Sequence, residues 1–241
     1  QALGIAAFPT MADLAAQEKL DEMRRILADS LRLLTFLALP ATVLLMLVGE
    51  PAIVLLFQRG AFAADDAGLV AWALLFYALG LLALSALEVV NRAFYALSDT
   101  LTPVLAGGIQ IAAMAALSVW LIRSVFPALD WHPLGGLALG FSLSNFVEAA
   151  VLLWLLRRKM GGLNGRLLWS GLWRMLAASG VMAAAVWFSL RGLADTAVLW
   201  QVVVGGLAGT AVYLTASYLL GISEIRRFTL LIQSRSEDRN R

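Results

Sequence analysis

Five polar side chains recur along one stripe of an otherwise apolar stretch: Ser85, Glu88, Asn91, Arg92 and Tyr95. Their offsets of i, i+3, i+6, i+7 and i+10 place them on one face of a helix. Glu88 and Arg92 stand at i, i+4 with the acid nearer the N-terminus, the favourable order for an ion pair. Two kinds of chemistry suit such a stripe. It can line a hydrated cavity that receives a polar group, or it can form a self-neutralising pair that holds the helix against a neighbour while Arg92 reaches outward along its aliphatic stem. A second group comprises Ser144, Asn145 and Glu148, with Asn145 and Glu148 at i, i+3. Glu148 has no cation at i±3 or i±4, so it requires a partner on another helix, a proton or water. Transport of an ion and inter-helix hydrogen bonding both fit it.

Other candidates are weaker. Gln110 and Gln201 are isolated amides suited to joining helices, and Glu50 precedes Pro51 near the end of an apolar run. His132 is the sole histidine, in Asp130-Trp131-His132-Pro133, and reads as a surface loop residue. One histidine beside one acid is too little for a metal site, and there is no cysteine to supply thiolate chemistry. Gly107-Gly108 and Gly205-Gly206 lie inside apolar helices, where glycine serves close packing rather than phosphate binding, and Gly205 and Gly209 make a small-xxx-small pair. With no Ser/His/Asp constellation, nucleotide loop or basic nucleic-acid surface, the residues argue for neither an enzyme nor a cofactor nor a nucleic-acid partner.

The elements that must position these side chains are membrane helices. Hydrophobic residues make up 61% of the 241-residue chain and charged residues 14%, against about 25% charged in soluble domains. Apolar runs exceed the roughly 18 residues that read as a membrane span, and the ten-residue alternation of a membrane β-barrel is absent. Runs bounded by charge or by Gly/Pro breaks predict six transmembrane helices at about 32–57, 66–97, 103–125, 134–156, 167–190 and 196–221. The fold class expected is all-α, a polytopic helical membrane protein. Pro40 should kink the first span, and Thr102-Pro103 fits an N-cap followed by proline in the first turn.

Alternating the six spans sorts fifteen of the eighteen Lys and Arg residues to one side, leaving Arg59, Arg123 and Arg191 on the other. That asymmetry puts both ends of the chain in the cytoplasm. Trp72, Trp120, Trp131, Trp187 and Trp200 then fall near outer ends, and Trp154, Trp169 and Trp173 near inner ends, as aromatic belts require. Asp13 to Ser30 is charged and amphipathic, with Leu14, Leu20, Met23 and Leu27 near helical spacing, and predicts a helix along the membrane surface. The organisation expected is the end of a preceding transmembrane helix over 1–12, a cytoplasmic amphipathic segment over 13–31, four spans over 32–158, two further spans over 159–222, and a cytoplasmic tail over 223–241 that is polar enough to be disordered. Gln1 in place of a start methionine reads as a chain whose beginning is missing.

Three strings go beyond physics. Phe8-Pro9-Thr10-Met11-Ala12 resembles the Pro-Thr-Leu-Ser element that closes a helix in the MurJ/MviN family. Leu56-Phe57-Gln58-Arg59-Gly60-Ala61-Phe62 is similar to its Leu-Phe-x-Arg-Gly-x-Phe loop, and Arg92-Ala93-Phe94-Tyr95-Ala96-Leu97-Ser98-Asp99-Thr100-Leu101-Thr102-Pro103-Val104 to its Phe-Tyr-Ala-x-x-Asp-Thr-x-Thr-Pro-Val signature. Ala12 stands where the family has serine, leaving Thr10 or Asp13 to cap the helix that follows.

The resemblance spans about Phe8 to Leu156. It implies a transporter of the multidrug/oligosaccharidyl-lipid/polysaccharide exporter superfamily, with fourteen helices in two six-helix lobes and a C-terminal pair. This chain would supply most of the second lobe and that pair. The resemblance also implies flipping of lipid II, the undecaprenyl-linked peptidoglycan precursor, across the bacterial cytoplasmic membrane by alternating access, with membrane lipids and a missing N-terminal lobe as partners. The family's cationic cavity residues fall outside this chain and none is carried over. Glu88, Asn91, Arg92, Asn145 and Glu148 therefore stand as substrate-path or ion-coupling candidates on their own chemistry. An exporter of another lipid-linked oligosaccharide or of drugs, and a non-transporting membrane scaffold, are the competing readings.

Overall fold

The structure, a computed structural model, describes residues 2–59, 64–163, 165–222 and 224–225. The expected tail, apart from residues 224–225, and residues 60–62 of the Arg-Gly loop lie outside the described residues. Among the described residues eight α-helices follow in order: α1 (Ala2–Ala16), α2 (Leu20–Phe57), α3 (Ala64–Ala96), α4 (Leu101–Trp120), α5 (Phe126–Ala128), α6 (Leu134–Lys159), α7 (Gly165–Gly192) and α8 (Val198–Leu219). A π-helical turn, Leu121–Val125, joins α4 to α5 so that the three run as one rod. Among the described residues six segments are long and apolar enough to cross a membrane: Leu20–Phe57, Asp65–Ala96, Leu101–Ala128, Leu134–Lys159, Trp169–Gly192 and Val198–Leu219. These are the six spans the sequence predicts.

The entry to the first span differs from expectation. The Asp13–Ser30 segment is not one surface helix. α1 continues through Pro9 to Ala16, and the chain turns at Gln17-Glu18-Lys19, where Glu18 takes a φ of 59°. The Glu18 and Lys19 amides close the helix end on the Ala15 and Leu14 carbonyls. From Leu20 onward no glycine or proline occurs before Pro40, so the charged segment propagates directly into the span, and α2 runs for 38 residues with Pro40 and Pro51 inside it, roughly 57 Å at the α-helical rise. Neither Thr10 nor Asp13 caps it; its N-cap is Lys19, without a side-chain hydrogen bond. The apolar stripe assigned to the membrane surface is instead core: Leu14, Met23 and Leu27 are buried with Val89, Phe94 and Leu152.

Three apolar clusters hold the bundle. The first joins α1, α2, α3 and α6; the second joins α2, α7 and α8 through Phe36, Met175, Met182, Val186 and Tyr213; the third is aromatic, with Phe76 and Phe126 packed against Trp72. The most extensive packing is between α3 and α6, and glycine permits it. A Cβ on Gly80 would stand 2.7 Å from Ser142 Oγ and 3.3 Å from Ser142 Cα, while that hydroxyl donates to the Phe76 carbonyl at 2.7 Å. At the α7–α8 crossing, a Cβ on Gly209 would come within 2.6 Å of Val186 Cγ2. The Gly205/Gly209 pair thus serves packing within the chain.

Candidate functional site

α3 presents its polar stripe toward α1. Arg92 Nε donates to Glu88 Oε1 at 3.1 Å, and Arg92 Nη2 makes a second contact with the same oxygen. Both side chains are partly buried, and with Asn91, Tyr95 and Phe8 of α1 they line a cavity of about 270 Å³. The Asn91 Oδ1 atom is buried without a hydrogen-bond partner among the described residues. Ser85 is spent within its own helix, donating to the Leu81 carbonyl at 2.8 Å. The self-neutralising pair and the cavity lining are therefore one arrangement. The ion pair forms part of the wall, and an unsatisfied amide oxygen beside it calls for a donor such as water.

The second group lies on α6 against α4. Gln110 donates to Ser144 Oγ at 2.9 Å, Ser144 donates to the Phe141 carbonyl at 2.8 Å, and Asn145 Nδ2 donates to that carbonyl at 2.7 Å. Asn145 is buried and its amide donates within its own helix, so the bond that joins α4 to α6 here is Gln110 to Ser144. Glu148 is half-buried, facing α4 where Gly107 leaves room: a Cβ there would stand 3.7 Å from Glu148 Oε1. Among the described residues Glu148 has neither a hydrogen bond nor an ion pair. Among the described residues no hydrogen bond or ion pair links the Glu88/Arg92 cavity to the Asn145/Glu148 group, so the five candidates form two separate places rather than one site.

Three polar connections were not apparent from sequence. Asp99, between α3 and α4, accepts from the Thr102 amide at 3.1 Å, from Thr102 Oγ1 at 2.9 Å and from Lys159 Nζ at 2.6 Å. The cap of α4 is thus the Asp99 carboxylate, not the Thr102 hydroxyl. The Lys159 ammonium, then the Thr102 amide, holds the Asp99 carboxyl down at about 2. Arg32 and Glu224 form a buried two-point ion pair, with Arg32 Nε 2.6 Å from Oε1 and Nη2 donating to Oε2 at 3.2 Å. Gln201, expected to join helices, instead donates from Nε2 to the Leu193, Ala194 and Thr196 carbonyls and holds the turn between α7 and α8. The Arg32 and Lys159 pairs, with an Arg24 contact to the Met160 carbonyl, gather at one end of the bundle. The opposite end carries Trp72 against Trp131, with Trp72 Nε1 donating to the His132 carbonyl at 3.2 Å. Alternation of the spans is therefore seen directly.

Between α2, α3, α6 and α7 runs a third feature, an apolar groove of about 350 Å³ lined by Leu31, Leu82, Phe146, Leu153, Trp169 and Met175, with Arg32 on its wall. Long apolar helices joined at small-residue crossings define a multi-pass helical membrane protein. Comparison with known proteins carries this to a family. A family model described as lipid II flippase MurJ matches residues 1–225, and the chain belongs to that family. Relatives include the probable lipid II flippases MurJ of Rhizobium tropici, 31% identical over 94% of this chain and 43% of the relative, and of Vibrio cholerae, 29% identical over 86% and 37%. A solved lipid II flippase MurJ in an inward closed conformation shares the fold, with a TM-score of 0.69, 22% identity and coverage of 88% of this chain and 42% of that one. The chain thus spans about two fifths of the length of the relatives it matches.

Proposed function

We propose that this chain is the C-terminal part of a flippase that carries lipid II across the cytoplasmic membrane. The family match over residues 1–225 carries the reading. The groove supports it: an undecaprenyl chain needs an apolar path while its diphosphate-sugar headgroup crosses in water, and the α2/α3/α6/α7 groove offers a wall with few polar atoms. In this reading the Glu88/Arg92 cavity is hydrated and belongs to the polar path, and Glu148 is a candidate for ion coupling. Both ends of the chain lie in the cytoplasm of a bacterial inner-membrane protein, because the cation-rich end of the bundle faces inward. An N-terminal lobe supplies the rest of the cavity, so residues 1–241 alone should not transport.

Translocation of lipid II by the intact protein in vesicles tests the proposal. Headgroup accessibility on the far side should rise with the intact protein and stay at background with this chain alone. Movement of another lipid-linked oligosaccharide, with lipid II left in place, would favour an exporter of different specificity. Movement of neither would favour a scaffold.

A further inference from the structure

At the C-terminal end of α6, Arg157, Arg158, Trp154, Gly161 and Gly162 line an open cup of about 360 Å³. The Arg158 guanidinium lies 3.8 Å above the centroid of the Trp154 ring, one turn earlier on the same helix. Stacking fixes the planar fork while leaving its edge N–H groups outward. We propose that this cup binds the phosphate of an anionic phospholipid headgroup in the adjacent leaflet, a structural-lipid site separate from the groove and from the Glu88/Arg92 cavity.

The charge pattern points to a ligand rather than to an internal role. Three consecutive cations end α6, and only Lys159 has a carboxylate partner, Asp99 at 2.6 Å. Arg157 and Arg158 are exposed and have no ion pair among the described residues. Cations at a helix C-terminus also complement the macrodipole, but the final carbonyls here are already satisfied by backbone: the Gly162 amide donates to the Arg157 carbonyl at 2.8 Å and the Gly161 amide to that of Arg158 at 3.3 Å. Both glycines adopt positive φ, 71° and 143°, which closes the helix without a side chain to obstruct the cup. A Cβ at Gly162 would meet nothing within 4 Å.

The depth is that of a headgroup. Trp154 is 49% exposed on the last apolar turn of its span, and Trp169 and Trp173, early in the next span, are 74% and 69% exposed, an aromatic belt at the same end of the bundle. A basic cup with an aromatic floor between spans fits a lipid phosphate above and acyl chains along the exposed apolar faces below. The inference is independent of which substrate the intact protein carries.

Native mass spectrometry of the intact protein, released from micelles containing equal phosphatidylglycerol and phosphatidylcholine, tests it. The wild type should retain phosphatidylglycerol preferentially. The Arg157→Gln/Arg158→Gln variant should lose that preference by roughly tenfold or more, since each basic side chain near the surface is worth a factor of about five. Lys19→Gln/Arg25→Gln, which removes the same charge from exposed positions outside the cup, should leave it unchanged. Equal retention of the two lipids by the wild type would overturn the proposal, as would an equal loss in both double variants, which would mean diffuse surface charge. Complete displacement of the lipid by millimolar inorganic phosphate would also overturn it, by showing an anion pocket without lipid character.

Discussion

Lys159 Nζ donates to Asp99 Oδ2 across 2.6 Å, fastening the last residue of α6 to the turn between α3 and α4. The same carboxylate caps α4 through the Thr102 amide and hydroxyl, so one side chain positions three spans. Asp99→Ala should lower stability by about 1 kcal/mol, the combined scale of a helix cap and an exposed ion pair. A detergent-solubilised thermal melt would read this, and Lys159→Gln should cost less, because it leaves the cap in place. Equal losses for the two would mean that the cap contributes nothing.

The pH dependence of the same junction has a definite sign. Asp99 is held at about 2, below its ordinary value of 3.8, so its contribution is complete above about pH 4 and disappears as the pH falls through about 2. The difference in melting temperature between wild type and Asp99→Asn should therefore be constant from pH 7 to about 5 and shrink below about 4. A difference that grew on acidification would contradict the assignment.

Arg32 and Glu224 present the opposite energetic case, since both are largely buried, with side-chain exposures of 13% and 7%. Breaking such a buried pair from one side is costly, and Glu224→Leu should destabilise by about 3 kcal/mol. Arg32→Met/Glu224→Leu, which removes both charges, should recover most of that loss. Chemical denaturation of the wild type, Arg32→Met, Glu224→Leu and the double variant closes a double-mutant cycle that checks the coupling. Purely additive losses would mean that the two residues act separately.

What the sequence made legible follows from the range of the interactions involved. Six spans, their alternation and the packing role of Gly205 and Gly209 rest on run length, local composition and short-range spacing. The turn at Glu18 was hidden because a glutamate takes the left-handed conformation there without any glycine to mark it. The continuity of α2 was obscured because charged residues at its start suggested a surface segment, although nothing in Leu20–Leu39 breaks a helix. Asp99 was visible inside a motif, but its partner stands 60 residues away, and Glu224 meets Arg32 across 192. Such pairs depend on how helices return, which periodicity does not encode. For the candidate site, spacing found the Glu88/Arg92 pair but not the α1 wall opposite it.

Glu148 is the sharpest test of the two candidate places. It is half-buried in a span, faces Gly107 on α4 and has no protein partner among the described residues. Asn145, three residues earlier, is satisfied by the Phe141 carbonyl. A carboxyl group kept within a membrane helix is costly, so one that merely filled space would be better replaced by its amide. If Glu148 carries charge or a proton during transport, Glu148→Gln should preserve expression and thermal stability yet fail to support growth when the native flippase is depleted. Gly107→Ala, whose added methyl makes only an ordinary 3.7 Å contact with Glu148 Oε1, should complement fully. Gln201→Leu releases the α7–α8 turn. Its damage should appear as lower stability rather than as lost transport at normal stability. Full complementation by Glu148→Gln would remove this residue from the transport path and leave the Glu88/Arg92 cavity as the remaining candidate.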